Sequence, residues 1–452
     1  MDRNRRSVVT AGQLLRGIGV PALAALLLTA TAVSAAEPTP TEKALERAEK
    51  ALQQEKGLSN ETREALQELL RALRSERATA GKAQPTPTPA KEPARTPGTK
   101  APDRLTINGD FRLRHESSFD LPDAPDRHRE RVRFRLGANY RISDELQVGA
   151  RVATGPRTDA QSPHQTLGEA FHKFELNLDR AFASYRPHQA PGLSITAGKF
   201  GHPFWTNPVY GELVWDQDVQ PEGAVVGYSI KGSGALERVD LNLGEYLLLE
   251  QPLGDESTAF VGQVAAHGKL GKHFKPSLAV GYYNYSDLTP DRSQSILNEN
   301  SGNQVVGTGP TADFASRFEI LNPIFALSYQ NGRYPWVFSA EYIHNLRAVN
   351  DRDSGWAAGL AYGAMQKKGD WRLYYQHQVV QQDAVLSLVA QDDFLFSTNH
   401  RSHVVGANYQ VRDNLGLHLW ALLSRQDAFA PGITSGNRDL QWRLRLDANF
   451  RF

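Results

Sequence analysis

Arginine recurs at every second position in two nearby stretches of this chain, Arg112 and Arg114 in one and Arg131, Arg133 and Arg135 in the other. Arg443 and Arg445 repeat the spacing close to the C-terminus. A guanidinium is always charged and offers carboxylates and phosphates a planar fork of donors. On one shared face these side chains would form a wall that attracts anions and repels cations. The rival reading is structural: the same arginines would pair with Asp110, Glu130 and Asp447 and only stiffen the wall. A second cluster lies in 201–221, where Trp205, Glu212, Trp215, Asp216 and Asp218 sit among Gly201, Pro203, Pro208, Gly211 and Pro221. Glycine and proline at that density punctuate a compact loop. Folded inward, Glu212, Asp216 and Asp218 would face the arginines and set a transverse field. Folded outward, the tryptophans would join an interfacial aromatic belt.

Catalytic patterns are thin. None of the 13 histidines has the H-E-x-x-H spacing of a zinc site, and no G-x-S-x-G elbow or phosphate-cradling glycine loop is present. The absence of cysteine excludes thiolate metal sites, disulfides and cysteine nucleophiles. His400 and His403 near Ser397 and Ser402 come nearest to a hydrolase pair, but such groups are frequent in polar loops. The acids and amides of 287–313 lack the ordered spacing of a calcium loop. No catalytic residue, metal or cofactor is expected. Residues 1–102 hold 16 of the 51 Lys and Arg and 11 of the 50 Asp and Glu, leaving 35 basic and 39 acidic residues in 103–452. That mild acidity gives no basic patch for nucleic acid.

What must position these residues is a sheet. In Leu105–Arg114 and again in Arg131–Tyr140, apolar or small residues alternate with polar ones. The last segment is the clearest: Trp442, Leu444, Leu446, Ala448, Phe450 and Phe452 alternate with Arg443, Arg445, Asp447, Asn449 and Arg451. Period-two alternation puts one face in an apolar medium and the other in a polar one. A soluble antiparallel sheet would read the same way. Three features favour a membrane barrel: segments of about ten or more residues, arginines where a compact core needs apolar side chains, and connections that alternate strictly between short and long. Short turns fall at 142–144, 188–192, 231–234, 269–275, 331–333, 367–370 and 412–414; longer loops include 155–172, 201–221, 287–313, 381–399 and 425–438. The expectation is an all-β, transmembrane, antiparallel up-and-down β-barrel over 104–452. It would have about sixteen strands, eight loops, seven turns and both termini on the short-turn side. Its lumen would be too wide for side chains to fill, so water would enter.

The first third of that barrel carries a series of motifs in one order. It opens with Gly109-Asp110-Phe111-Arg112-Leu113-Arg114 and the arginine ladder from Arg127 to Gly137. Gly149-x-Arg151-x-Ala153-Thr154-Gly155, Gln165-Thr166-Leu167-Gly168 and Leu178-Asp179-Arg180-Ala181 follow. Gly198-Lys199-Phe200-x-x-Pro203-Phe204-Trp205 and Val214-Trp215-Asp216-x-Asp218-x-x-Pro221-Glu222-Gly223 close the run. In these the chain resembles the bacterial outer-membrane family of putative porins. The resemblance implies an outer-membrane pore whose solute is unassigned, a surround of outer-membrane lipid, and a terminal Phe452 of the kind that barrel-assembly machinery reads. Many porins are trimers, so a homotrimer is in view. The functional expectation is passive diffusion of small hydrophilic solutes or ions. The rival is a structural anchor tethered to the cell wall.

Ahead of the barrel, residues 1–36 read as a signal peptide: a basic start at Arg3, Arg5 and Arg6, an apolar core from Pro21 to Leu28, and small residues Val33 to Ala36. Residues 37–81 are rich in helix formers, and Leu66, Leu69, Leu70 and Leu73 share a stripe that suits a short coiled coil or a solvated helix. Residues 82–103 are a Pro-rich extended linker. With both barrel termini on the short-turn side, this extension would lie in the periplasm and could contact peptidoglycan.

Overall fold

The computed structural model describes residues 104–121, 124–211, 213–250, 256–288, 300–308, 311–427 and 439–452. The signal peptide, helical segment and linker expected over 1–103 lie outside the described residues, as does Glu212.

The alternating segments form a run of antiparallel strands: β1 (Leu105–Phe119), β2 (Arg127–Arg141), β3 (Leu146–Thr154), β4 (Leu176–Tyr185), β5 (Leu193–Lys199), β6 (Glu222–Lys231), β7 (Leu236–Leu249) and β8 (Ser257–Gly268). They continue as β9 (Phe274–Ser286), β10 (Glu319–Gln330), β11 (Pro335–Asn345), β12 (Ser354–Gly363), β13 (Trp371–Val380), β14 (His400–Arg412), β15 (Leu415–Gln426) and β16 (Gln441–Arg451). Each pairs with its neighbours in sequence, and β1 closes on β16 in a register from Asp110↔Arg451 to Phe119↔Trp442. The sheet also includes a two-residue strap, Gln165–Thr166, which pairs with β2 above the end of β3. Among the described residues the barrel therefore has sixteen strands, as the alternation predicts. Closure leaves no unpaired edge, which lipid would penalise.

The two faces are inverted relative to a soluble protein. Val264 and Leu446 are about half exposed, whereas their neighbours Gln263, Arg445 and Asp447 are 3 %, 1 % and 0 % exposed. Apolar outside and buried charge inside suit a wall that stands in lipid. The rhythm of connections holds, but less strictly than expected. Loops 120–126 and 250–256 are no longer than the turns 186–192 and 364–370 on the other side. Strands β3 and β5, of nine and seven residues, also fall short of the expected length.

The largest departure is inside. Loop 381–399 and the described residues of loops 200–221 and 287–318 turn into the lumen and build a core there. Phe204, Leu213, Trp215, Phe318, Leu386 and Val389 pack against the inward side chains Tyr246, Val261, Tyr283, Ile320, Ile343 and Val380 of β7 to β13. Hydrogen bonds join the loops to one another and to the wall. Asn303 Nδ2 donates to Gln382 O (2.8 Å) and Val385 O (2.7 Å), Asp216 N to Val389 O (2.7 Å), and Asn207 Nδ2 to Gln376 Oε1 (3.2 Å). The expected wide lumen is thus partly filled. The unfilled part lies along the arginine-bearing strands.

Candidate functional site: the arginine-lined passage

The passage is built on the inward positions of β16, β1, β2, β3 and β4. In this register Arg112 stands opposite Arg133, Arg114 opposite Arg131, and Arg151 opposite Arg180. Like charges opposite one another destabilise a sheet unless counter-charges intervene, and most of these have one. Asp110 accepts from Arg133 Nη2 (2.7 Å) and Arg135 Nε (2.7 Å); Asp447 accepts from Arg114 Nε (2.8 Å) and Nη2 (3.0 Å); Arg151 pairs with Asp179. The structural reading of the ladder therefore holds for Asp110 and Asp447 but fails for Glu130. That carboxylate points outward and meets His115 Nδ1 at 2.6 Å, because Glu130 is one position out of step with Arg129 and Arg131.

Among the described residues, Arg112 and Arg180 line the first cavity without a carboxylate in close contact. Arg112 Nε donates to the neutral Asn449 Oδ1 (2.6 Å), and its Nη1 lies 3.5 Å from His164 Nε2. Its nearest carboxylate oxygen, on Asp447, is 3.9 Å away and belongs to the group already bound by Arg114. Arg180 Nε donates to the amide oxygen of Gln220 (2.7 Å). Burial, reinforced by Arg114 and Arg112, holds the imidazole of His164 well below its ordinary value, so it adds no charge near neutral pH.

Two cavities adjoin along this wall. One, of about 380 Å³, is lined by Arg112, Arg114, Arg133, Arg135, Arg151 and Arg180 and by the loop residues Asp216, Asp218, Asp392 and Asp393. The other, of about 550 Å³, is lined by Asn108, Asp110, Asn408, Asn449, Arg451 and Phe452. They share Arg112, Arg133, Arg135, Arg151 and His418, which mark the neck between them.

Loop 201–221 reaches that neck. Asp218 Oδ1 accepts from Arg135 Nη1 at 2.8 Å, and its Oδ2 lies 3.7 Å from Arg133 Nη1. Its two tryptophans pack inside the barrel. Trp215 stacks on His202 (4.4 Å between centroids) and donates Nε1–H to Val219 O (3.0 Å), while the backbone of Trp205 exchanges two hydrogen bonds with the Gln263 amide. The described aromatic positions on the outer face include Trp336, Trp356 and Trp442 instead. Arg131, Arg443 and Arg445 share the inward face but line neither cavity. Arg131 donates to Ser162 Oγ (3.1 Å) under loop 155–175. Arg443 donates to Asp393 O (2.7 Å), and Arg445 is enclosed between Glu116 (2.6 Å) and Asp393.

Sequence reasoning missed Arg151, Arg180, Asp392 and Asp393. The two arginines sit in the quoted motifs Gly149-x-Arg151 and Leu178-Asp179-Arg180, where a β-bulge between Arg151 and Val152 breaks the alternation that would have placed them. The two aspartates lie in loop 381–399, which has no period to read. His400 and His403 point to opposite faces of β14, and His400 is 1 % exposed with Nδ1 3.1 Å from Ser402 Oγ.

Asp392 carries a pH consequence. Burial, and next the charge of Asp393, push its carboxyl above the ordinary aspartate range. A proton taken up there removes a negative charge from the first cavity. Lowering the pH from about 8 to about 5, above the ordinary ~3.9 of an aspartate, will therefore shift the zero-current potential in a salt gradient toward anions. Asp392→Asn will flatten the response; an unchanged pH profile in that variant would remove the role.

Comparison with known proteins agrees with this geometry. A family model described as "Putative porin" matches residues 121–330. No curated protein matches the chain. Among solved structures, OprB of Pseudomonas putida, in a high-pH form, aligns over 77 % of this chain and 94 % of its own at 13 % identity, with a TM-score of 0.51. OmpF of Salmonella typhi, in complex with daunomycin, aligns over 77 % and 97 % at 10 % identity, with a TM-score of 0.47. At such identity the likeness to OprB is one of fold. Over residues 121–330 the chain matches the model of the putative porins.

Proposed function

We propose that the protein is an outer-membrane porin that lets small hydrophilic solutes diffuse passively along its arginine-lined wall, with a weak preference for anions. The observation that carries this reading is the neck shared by the two cavities. It is polar throughout, and Arg112 keeps its guanidinium there with only neutral partners at close range. Paired arginines hold the wall; Arg112 and Arg180, with Arg451 at the second cavity, are left to meet a passing anion. A structural anchor would have no use for unneutralised charge beside an open passage.

Purified protein in planar bilayers will show single-channel steps, and a salt gradient will give a small reversal potential of anion-selective sign. Neutralising both residues (R112Q with R180Q) will lower the anion-to-cation permeability ratio by about two- to three-fold, the scale of removing charges screened by water and protein. Absence of steps in any salt would sink the porin reading; steps with an unchanged ratio would sink the roles of Arg112 and Arg180. The rest of the assignment follows the same reading. Gly109 N donates to Phe452 O at 2.8 Å, joining the start of β1 to the chain end at the turn side. On that basis residues 37–103 would extend into the periplasm toward the peptidoglycan, and deleting 37–102 would leave conductance intact. Phe452, 57 % exposed, would be the signal for assembly machinery. The outer face at β5 and β6 bears the exposed pair Lys199–Glu222, which lipid would penalise and a neighbouring copy in a homotrimer would cover.

A further inference from the structure

We propose that Arg401 and Arg425, on the outside of the barrel at its loop-side rim, form a site for the phosphate of an anionic membrane lipid. His400, Ser402 and Val404 of β14 are buried inward at 1 %, 0 % and 0 % exposure, so Arg401, His403 and Val405 face outward. Ser424 and Gln426 of β15 are likewise buried, which puts Leu423 and Arg425 outside. The register sets Arg401 directly opposite Arg425. Two like charges in that relation repel and need a counter-charge. Inside the barrel the pair Arg114↔Arg131 has Asp447 and Glu116 within reach. Outside, Asp427 takes Arg401, and among the described residues nothing bonds Arg425.

Depth decides the kind of anion. Tyr409 and Trp371 face one another across β14 and β13 near the turn end, as a lower aromatic girdle would. From Tyr409 up to Arg401, at about 3.3 Å per residue and a tilt near 40°, the rise is roughly 20 Å, close to the ~25 Å height of the apolar band. The backbone of the two arginines therefore stands just inside the loop-side edge of the band, and their long side chains reach headgroup level. Directly beneath them lie Val405, Ala421 and Leu423, with His403 stacked on His377 at 4.4 Å. A phosphate held by two guanidinium forks would leave its acyl chains on that apolar strip. A free phosphate would use the same forks but gain nothing from the strip.

The test is native mass spectrometry of the whole protein in detergent, titrated with phosphatidic acid, with diacylglycerol of the same chains, and with inorganic phosphate. One phosphatidic acid should stay bound to the wild type, and R401Q with R425Q should weaken it roughly ten-fold or more, the scale of losing charge-assisted hydrogen bonds. Diacylglycerol should bind weakly and equally to both. Arg425→Gln alone breaks no bond within the described residues, so it folds and should already lose part of the binding. Unchanged conductance certifies both variants. Equal binding of phosphatidic acid to wild type and variants would overturn the site, as would diacylglycerol binding as tightly as phosphatidic acid. Displacement of the lipid by millimolar inorganic phosphate would overturn the lipid as its occupant, and loss of self-association instead of lipid in the variants would make the patch a protein contact.

Discussion

Arg445→Ala will lower the thermal stability of the barrel and release loop 381–399 from the wall. Arg445 is 1 % exposed and lies between two carboxylates that come from different parts of the chain: Glu116 of β1, at 2.6 Å and 0 % exposed, and Asp393 of the loop. It also lies 4.8 Å from the Trp420 ring centroid. Removing one partner from a buried ion network leaves uncompensated charge, which costs about 3–5 kcal/mol. Here the lower end applies, since Arg129 still pairs with Glu116 and Tyr210 still donates to Asp393. The measurement is the temperature at which folded and unfolded forms interconvert on a semi-native gel, with channel noise as the second readout. Arg445→Lys, which keeps the charge but loses the fork, should fall between the two. A midpoint that does not move would mean that the loop core alone holds 381–399 in place.

That network also shows where reading the chain succeeds and where it stops. Strands β1, β2 and β16 have polar residues on one face and apolar residues on the other, so their spacing alone reveals strand, face and arginine wall. The opposite side of the barrel differs. In β8, Ala259 and Val261 point inward against loop residues while Phe260 and Val264 point to lipid, so the segment is apolar on both faces. Apolar residues on both sides carry no period, which is why 235–268 reads less clearly than the termini. The cause is the core inside the lumen, and that core depends on three loops whose inward fold leaves no periodic signal. Asp393 belongs to one of them. Its part in the site becomes visible only when the loop is seen against Arg445, whereas Asp218 could be anticipated from its place in the third long loop.

Asp218→Asn will move selectivity in the direction opposite to the loss of Arg112 and Arg180. Asp218 is the carboxylate that loop 201–221 places at the neck, 2.8 Å from Arg135 and 3.7 Å from Arg133. Both arginines also share Asp110, so one negative charge then serves two guanidinium groups that two had served. The wall where the two cavities meet becomes more positive by one charge, and the low-dielectric barrel wall focuses that field into the passage. Anion preference should rise by about two- to three-fold, measured as a reversal potential in a salt gradient and largest at low ionic strength. The loop itself should stay folded. Asp216 N still donates to Val389 O at 2.7 Å, and Trp215 stays in the lumen core at 6 % exposure. Arg135→Gln combined with Asp218→Asn restores the charge balance and should return the ratio toward wild type, so the pair forms a cycle whose non-additivity measures their coupling. If Asp218→Asn instead raised conductance for both ions alike and left the ratio unchanged, the residue would be a clasp on the loop, and the field across the neck would have to come from Asp110 and the aspartates of 381–399.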